Sequence, residues 1–155
     1  MSEYKVEKTR FPVKVFFGDG AAKEGELYLS VRAAHHEGRE RAIDVLNQTD
    51  LFIPIYFNEE SVKLINKENI LMVSFPSEED EPEDSVFADI TVEVVIHLVD
   101  DTRLEGNFFF MLPTHARRVK DFLNQPDSFL EMKKESDIYL INKRHILFVE
   151  EKQRR

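Results

Sequence analysis

The chain has no cysteine, no tryptophan and only five glycines in 155 residues. Its longest apolar runs fall far short of the roughly 18 residues that a membrane-spanning helix needs. Without sulfur there can be no disulfide, thiolate zinc site, cysteine nucleophile or c-type haem attachment. A glycine-rich phosphate loop, Gly-x-Ser-x-Gly and His-Glu-x-x-His are also missing, so neither enzymatic activity nor a cofactor is expected. Met1 to Arg10 is mostly polar and charged, with no apolar stretch of the signal-peptide kind, and a cytoplasmic location away from membranes is the expectation. What is present is enough to fold: 42% of residues are hydrophobic and 33% charged.

The strongest positive feature is an internal repeat. Val13-Lys14-Val15, Asp19, Glu24-Gly25 and Leu27-Tyr28-Leu29 recur as Val94-Val95-Ile96, Asp100, Glu105-Gly106 and Phe108-Phe109-Phe110, at an offset of 81. Arg41, Asp44-Val45-Leu46-Asn47-Gln48, Asp50 and Phe52 recur as Arg118, Asp121-Phe122-Leu123-Asn124-Gln125, Asp127 and Phe129, at an offset of 77. Leu64-Ile65-Asn66-Lys67, Ile70 and Val73 recur as Leu140-Ile141-Asn142-Lys143, Ile146 and Val149, at an offset of 76. Three blocks in one order imply an internal duplication. The first repeat spans 9–75 and the second 90–151, with 76–89 between them.

That intervening segment holds two prolines and a run of acids, the composition of a solvated linker. Charge sharpens the division. Residues 1–75 carry 12 acids against 10 bases, 76–90 carry 7 acids and no base, and 91–155 carry 11 of each. The formal net charge of −9 therefore sits mainly in the linker, and the repeats are close to neutral. Neither a membrane surface nor DNA is an expected partner.

Each repeat is patterned mainly as strands, making the expected class all-β. Phe11 to Phe17 and Ile90 to Val99 are rich in β-branched and aromatic residues and run into Asp-containing turns. Gly18-Asp19-Gly20 is a hairpin signal, because glycine accepts positive φ. Glu24 to Val31 and Glu105 to Leu112 follow, and the repeated glycine predicts a bulge or bend. Leu51 to Phe57 and Ser128 to Met132 form third strands, and two short strands close each repeat around an Asn-Lys turn. Arg39 to Gln48 and Arg117 to Gln125 space their apolar residues by three and four, predicting one or two helical turns. Five short strands in so few residues favour a strongly bent barrel over an open sheet.

Val13, Val15, Asp19-Gly20, Gly25, Leu27, Asp44 and Asn47, then Leu64-Ile65-Asn66-Lys67 with Ile70, resemble the two motifs of Sm-like domains. The second set, Val94, Ile96, Asp100, Gly106, Asp121, Asn124 and Leu140 to Lys143 with Ile146, is similar. The same Gly, Asp-x-Leu-Asn and Asn-Lys pattern also resembles an uncharacterised group of bacterial domains. The resemblance implies two tandem Sm-like five-stranded bent barrels. Three departures are visible: Asp44 and Asn47 stand three apart rather than four, Asn66-Lys67 replaces an Arg-Gly pair, and Asp101 replaces the turn glycine.

The repeated polar residues form the candidate ligand loop: Arg41, Asp44, Asn47, Asn66 and Lys67, with Arg118, Asp121, Asn124, Asn142 and Lys143. A guanidinium beside an amide can grip a phosphate or base edge. Asp and Asn also cap short helices and tie loop backbone, which is the heavier expectation for the Arg/Asp/Asn sets, while Asn66-Lys67 and Asn142-Lys143 are expected to be turns with solvated lysines. His35-His36 and His115 fall in equivalent loops without a third ligand at metal spacing, so no metal is expected. Phe109 should face away from Phe108 and Phe110, so one face of that cluster is expected in the core and the other on an exposed aromatic surface, and Phe16 and Phe17 pose the same choice. The leading functional expectation is a non-enzymatic binding or assembly module, pairing through strand edges with itself or another protein. RNA or nucleotide binding at the Arg/Asp/Asn loops is the alternative, set second by the motif departures.

Overall fold

The structure, a computed structural model, describes residues 8–31, 38–58, 61–80, 90–110 and 118–152. Ten strands dominate: β1 (Lys8–Phe17), β2 (Ala22–Ser30), β3 (Phe52–Asn58), β4 (Ser61–Asn66), β5 (Ile70–Pro76), β6 (Ile90–Leu98), β7 (Arg103–Phe110), β8 (Phe129–Lys134), β9 (Asp137–Asn142) and β10 (Ile146–Glu151). Two five-residue helices, α1 (Ala42–Leu46) and α2 (Val119–Leu123), precede β3 and β8. The all-β class expected from the sequence is what the chain adopts. No helix among the described residues is long and apolar enough to cross a membrane.

Strand alternation explains the core. In β1, Phe11, Val13 and Val15 point inward while Pro12 and Lys14 face water, the period-two pattern of a half-buried strand. β2 continues it with Leu27 and Leu29, and β3 with Ile53 and Ile55. β5 departs from alternation: Ile70, Leu71, Met72, Val73 and Phe75 are all buried. A strand covered on both faces has no solvent side and so carries an unbroken apolar run.

The reason β5 is covered twice lies in the topology. All strands join one antiparallel sheet in the order β10-β6-β7-β8-β9-β5-β1-β2-β3-β4. Each half repeats one arrangement, with its last strand beside its first: β5-β1-β2-β3-β4 and β10-β6-β7-β8-β9. The halves meet where β5 pairs antiparallel with β9, from Met72 opposite Ile141 to Pro76 opposite Asp137.

The cores interlock there. Ile138 and Leu140 from β9, with Phe129 from β8, complete the core built on β1, β2, β3 and α1. Leu71 and Met72 from β5 complete the other, built on Val94, Ile96, Leu104 and Phe108. The two halves therefore share one continuous sheet. The linker boundary moves as well. Pro76 pairs within the sheet, the Ser77 N–H donates to Ser136 O at 2.7 Å, and Asp80 is buried. An acidic segment can pack here because Arg41 meets the Asp80 carboxylate. Residues 81–89 of the expected linker lie outside the described residues.

Local features refine the sequence expectations. Gly20 has φ 93° in the first hairpin, and Asp101 takes φ 71° in the second. Asp tolerates this left-handed geometry better than most side chains. Gly25 and Gly106 are needed for a reason other than a bulge, since pairing with β1 and β6 runs through both without a register shift. A Cβ at Gly106 would lie 2.7 Å from the Lys133 carbonyl, and one at Gly25 would lie 3.0 Å from Ile55. At Gly106 the neighbouring backbone leaves room only for hydrogen, while at Gly25 the Ile55 and Phe57 side chains would have to shift by a few tenths of an ångström.

Candidate interface: the internal joint and the open sheet edges

The repeated lysines are tied to the helices. Lys67 Nζ donates to Leu46 O at 3.2 Å and Gln48 O at 2.5 Å, and Lys143 Nζ repeats this with Leu123 O at 3.2 Å and Gln125 O at 2.5 Å. Each ammonium satisfies carbonyls that the short helix leaves bare at its end. Burial lowers both lysine pKa values, partly opposed by Asp50 at Lys67 and by Asp127 at Lys143. Neither is the solvated lysine expected of a turn. Asn66 and Asn142 play matching parts, accepting from Glu68 N and Arg144 N to open the single 3-10 turns that follow.

The arginines divide. Arg41 Nε donates to Asp80 at 3.0 Å, and Arg41 Nη2 meets Glu131 of the second half at 2.5 Å. Asp80 also accepts from the Ala42 N–H at 3.1 Å, serving the α1 N-terminus. Burial alone would lower the Arg41 pKa, but Glu131 and then Asp80 outweigh it and hold the guanidinium above its ordinary value. Arg118 instead is largely exposed and reaches Asp121 at 3.3 Å. Asp44 spends one carboxylate oxygen on the Arg41 N–H, at 2.8 Å.

The asparagines divide in the same way. The Asn47 side chain accepts from Phe129 N at 2.8 Å and donates to Phe129 O at 3.2 Å, extending backbone-like pairing between the halves. Its counterpart Asn124 donates to Lys120 O within its own helix. Buried Asn142 donates to Lys67 O and Ile70 O of the first half, at 3.3 and 3.0 Å. His145 adds a contact of 2.6 Å to Glu68 O. Arg41, Asn47 and Asn142 thus converge on the joint, whereas Arg118, Asp121 and Asn124 lie outside it.

The joint has two unfilled replicas. β4 and β10 are the ends of the sheet, and they carry much of its exposed apolar surface: Val62 at 50%, Leu64 at 70%, Leu147 at 64% and Phe148 at 48%. Their repeat counterparts are Ile138, Leu140, Leu71 and Met72, all buried in the joint. The two halves pair in the same register at these positions, with Phe52 opposite Asn66 and Phe129 opposite Asn142. The same alignment sets Pro54 against Glu131, because each faces a repeat leucine, Leu64 or Leu140.

The aromatic surface lies elsewhere than expected. Phe16 and Phe17 are half-buried against the second and first cores, and half-buried Phe109 lines a cavity with Phe122 and Phe129. Among the described residues, Phe52 and Phe148 are the exposed phenylalanine rings. Phe148 stacks on His97 at 4.1 Å between ring centroids. Sequence reasoning did not single out Asp80, Glu131, Val62, Leu64, Leu147 or Phe148. The available signal was apolar identity at both copies of an edge position, which marks a face buried in at least one of them.

Among the described residues, no group of three or more His, Cys, Asp or Glu could hold a metal ion. His35, His36 and His115 lie outside those residues. Comparisons with protein-family models, curated proteins and solved structures found no match to this chain.

Proposed function

We propose that the chain is a non-enzymatic assembly module made of two Sm-like bent barrels that arose by internal duplication, acting through its open strand edges. One observation carries this reading. Side chains that are buried where β5 meets β9 have apolar repeat counterparts exposed on β4 and β10. An unpaired edge with exposed apolar side chains is a template for another strand, and proteins normally blunt such an edge unless it is used. The shared strand order of the halves and their matching lysine caps support the duplication. The RNA or nucleotide reading falls behind, because Arg41, Asn47, Lys67, Asn142 and Lys143 are already engaged by protein groups.

The test is the mass in solution by light scattering across a wide concentration range. Association above the 18.2 kDa of one chain is expected. Leu64→Asp and Phe148→Asp should each abolish it without unfolding the protein. A strict monomer at millimolar concentration would defeat the reading.

A further inference from the structure

We infer that the occupant of the β4 edge is the β10 edge of a second copy of this chain, selected by a Lys63–Glu150 charge pair. This rests on the edge-assembly reading above and adds the partner, the register and the residues that choose it. The internal joint supplies the template. There Met72 faces Ile141, Val73 faces Leu140, Ser74 faces Tyr139, Phe75 faces Ile138 and Pro76 faces Asp137. Shifting both sides by the repeat offset of 76 brings Phe148 opposite Ile65 and Val149 opposite Leu64. Glu150 then meets Lys63, and Glu151 meets Val62.

Three properties of the two edges fit this register. First, the side chains match in shape. An open groove of about 720 Å³ beside β4 is lined by Phe17, Phe52, Leu64, Ile65, Asn66 and His145. In the joint, the space beside Leu98 and Ile141 is filled by Leu71 and Met72. Leu147 and Phe148 stand at those two positions on β10 and are exposed. Second, the polar ends match. Asn66 comes to the position from which Asn142 donates to Lys67 O and Ile70 O. Asn124 comes to the position from which Asn47 brackets the backbone of Phe129, now that of Phe52.

Third, the charges complement each other where the template has none. Ser74 faces Tyr139 inside the chain, whereas Glu150 faces Lys63 between chains. Residues directly opposite in an antiparallel pair share a face, so these two side chains meet. His97 Nε2 holds the Glu150 carboxylate on that face at 2.7 Å. The charge pair also fills a gap. Arg118 of one copy would reach Pro54 of the next, so the Arg41–Glu131 lock has no intermolecular equivalent. Opposite charges across a strand pair favour it modestly, and like charges oppose it by a similar amount. The Lys63–Glu150 pair therefore sets selectivity while the apolar groove supplies most of the contact.

The experiment uses three full-length proteins: wild type, Lys63→Glu and Glu150→Lys. In Lys63→Glu every joint opposes two glutamates, and in Glu150→Lys every joint opposes two lysines. Each variant alone should associate about three- to tenfold more weakly than wild type in analytical ultracentrifugation. A 1:1 mixture should recover wild-type association, because both kinds of joint are then complementary in alternation. Misfolded variants could not restore each other, so recovery on mixing separates the pairing from simple damage. If wild type associates but the variants match it, or the mixture stays dissociated, the register is overturned and edge assembly stands with another geometry. If wild type remains one chain throughout, edge assembly itself fails and this inference with it.

Discussion

The β5–β9 joint and the outer β4 and β10 edges are made from corresponding positions, yet one is dry and the other wet. Leu140 is buried under the first core and Leu64 projects into solvent, although both belong to a Leu-Ile-Asn-Lys run. Asn47 brackets a neighbouring backbone, while Asn124 turns back onto its own helix. Arg41 is held by two carboxylates from distant parts of the chain, while Arg118 has a weaker exposed partner three residues away. The contrast teaches that residues of one repeated pattern take different roles according to whether a neighbouring strand covers them.

The comparison breaks most sharply at the repeat leucines. Leu140→Ala removes buried methyl groups from the joint and should cost about 2–5 kcal/mol in urea unfolding. Leu64→Ala should stay within about 0.5 kcal/mol under conditions where the protein is monomeric. Equal losses at the two sites would show that β4 and β9 have the same environment.

A smaller difference is expected at the arginines. Arg41→Met removes one partner from Glu131 and one from buried Asp80, which keeps Arg39 and the Ala42 N–H, and should destabilise by about 1–2 kcal/mol. Arg118→Met deletes an exposed pair and should change stability by less than about 0.5 kcal/mol. Thermal denaturation of both variants would decide it, and equal melting temperatures would remove the lock from the joint.

A comparable difference is expected at the asparagines. Asn47→Ala deletes both side-chain bonds to Phe129 and should cost about 1–2 kcal/mol, whereas Asn124→Ala should cost a few tenths. Hydrogen exchange at the Phe129 amide sharpens this further, since that N–H donates to Asn47. Faster exchange in Asn47→Ala, with no change in Asn124→Ala, is the expected pattern.

Much of the fold was legible because its signals are local. Alternation in β1 and β2, the Gly18-Asp19-Gly20 turn and the short helical spacing before β3 and β8 all appear where expected. The polar repeat residues were also found, although their roles were only half visible. Asn66 accepts from backbone two residues away and Lys67 reaches carbonyls 19 and 21 residues away, but the Arg41 partners lie 39 and 90 residues along the chain. No short-range pattern encodes such a distance. The acidic stretch was harder still, since composition gives Ser77 to Asp80 the look of a linker, and the groups that offset burial of Asp80 (Arg39, Arg41 and the Ala42 N–H) lie about 40 residues away in the chain.

By itself, the sequence determined the β class, the turns and the repeated blocks with the polar residues they share. Those properties follow from side-chain period, backbone preference and composition, each of which acts over a few residues. Tertiary structure alone decided that the halves share one sheet, that β5 and β9 lend side chains to each other's cores, and that β4 and β10 remain open. The physical reason is that identical edge residues are buried or exposed according to whether a neighbouring strand is present. Here β5 and β9 pair with each other, while β4 and β10 stand at the two ends of the sheet.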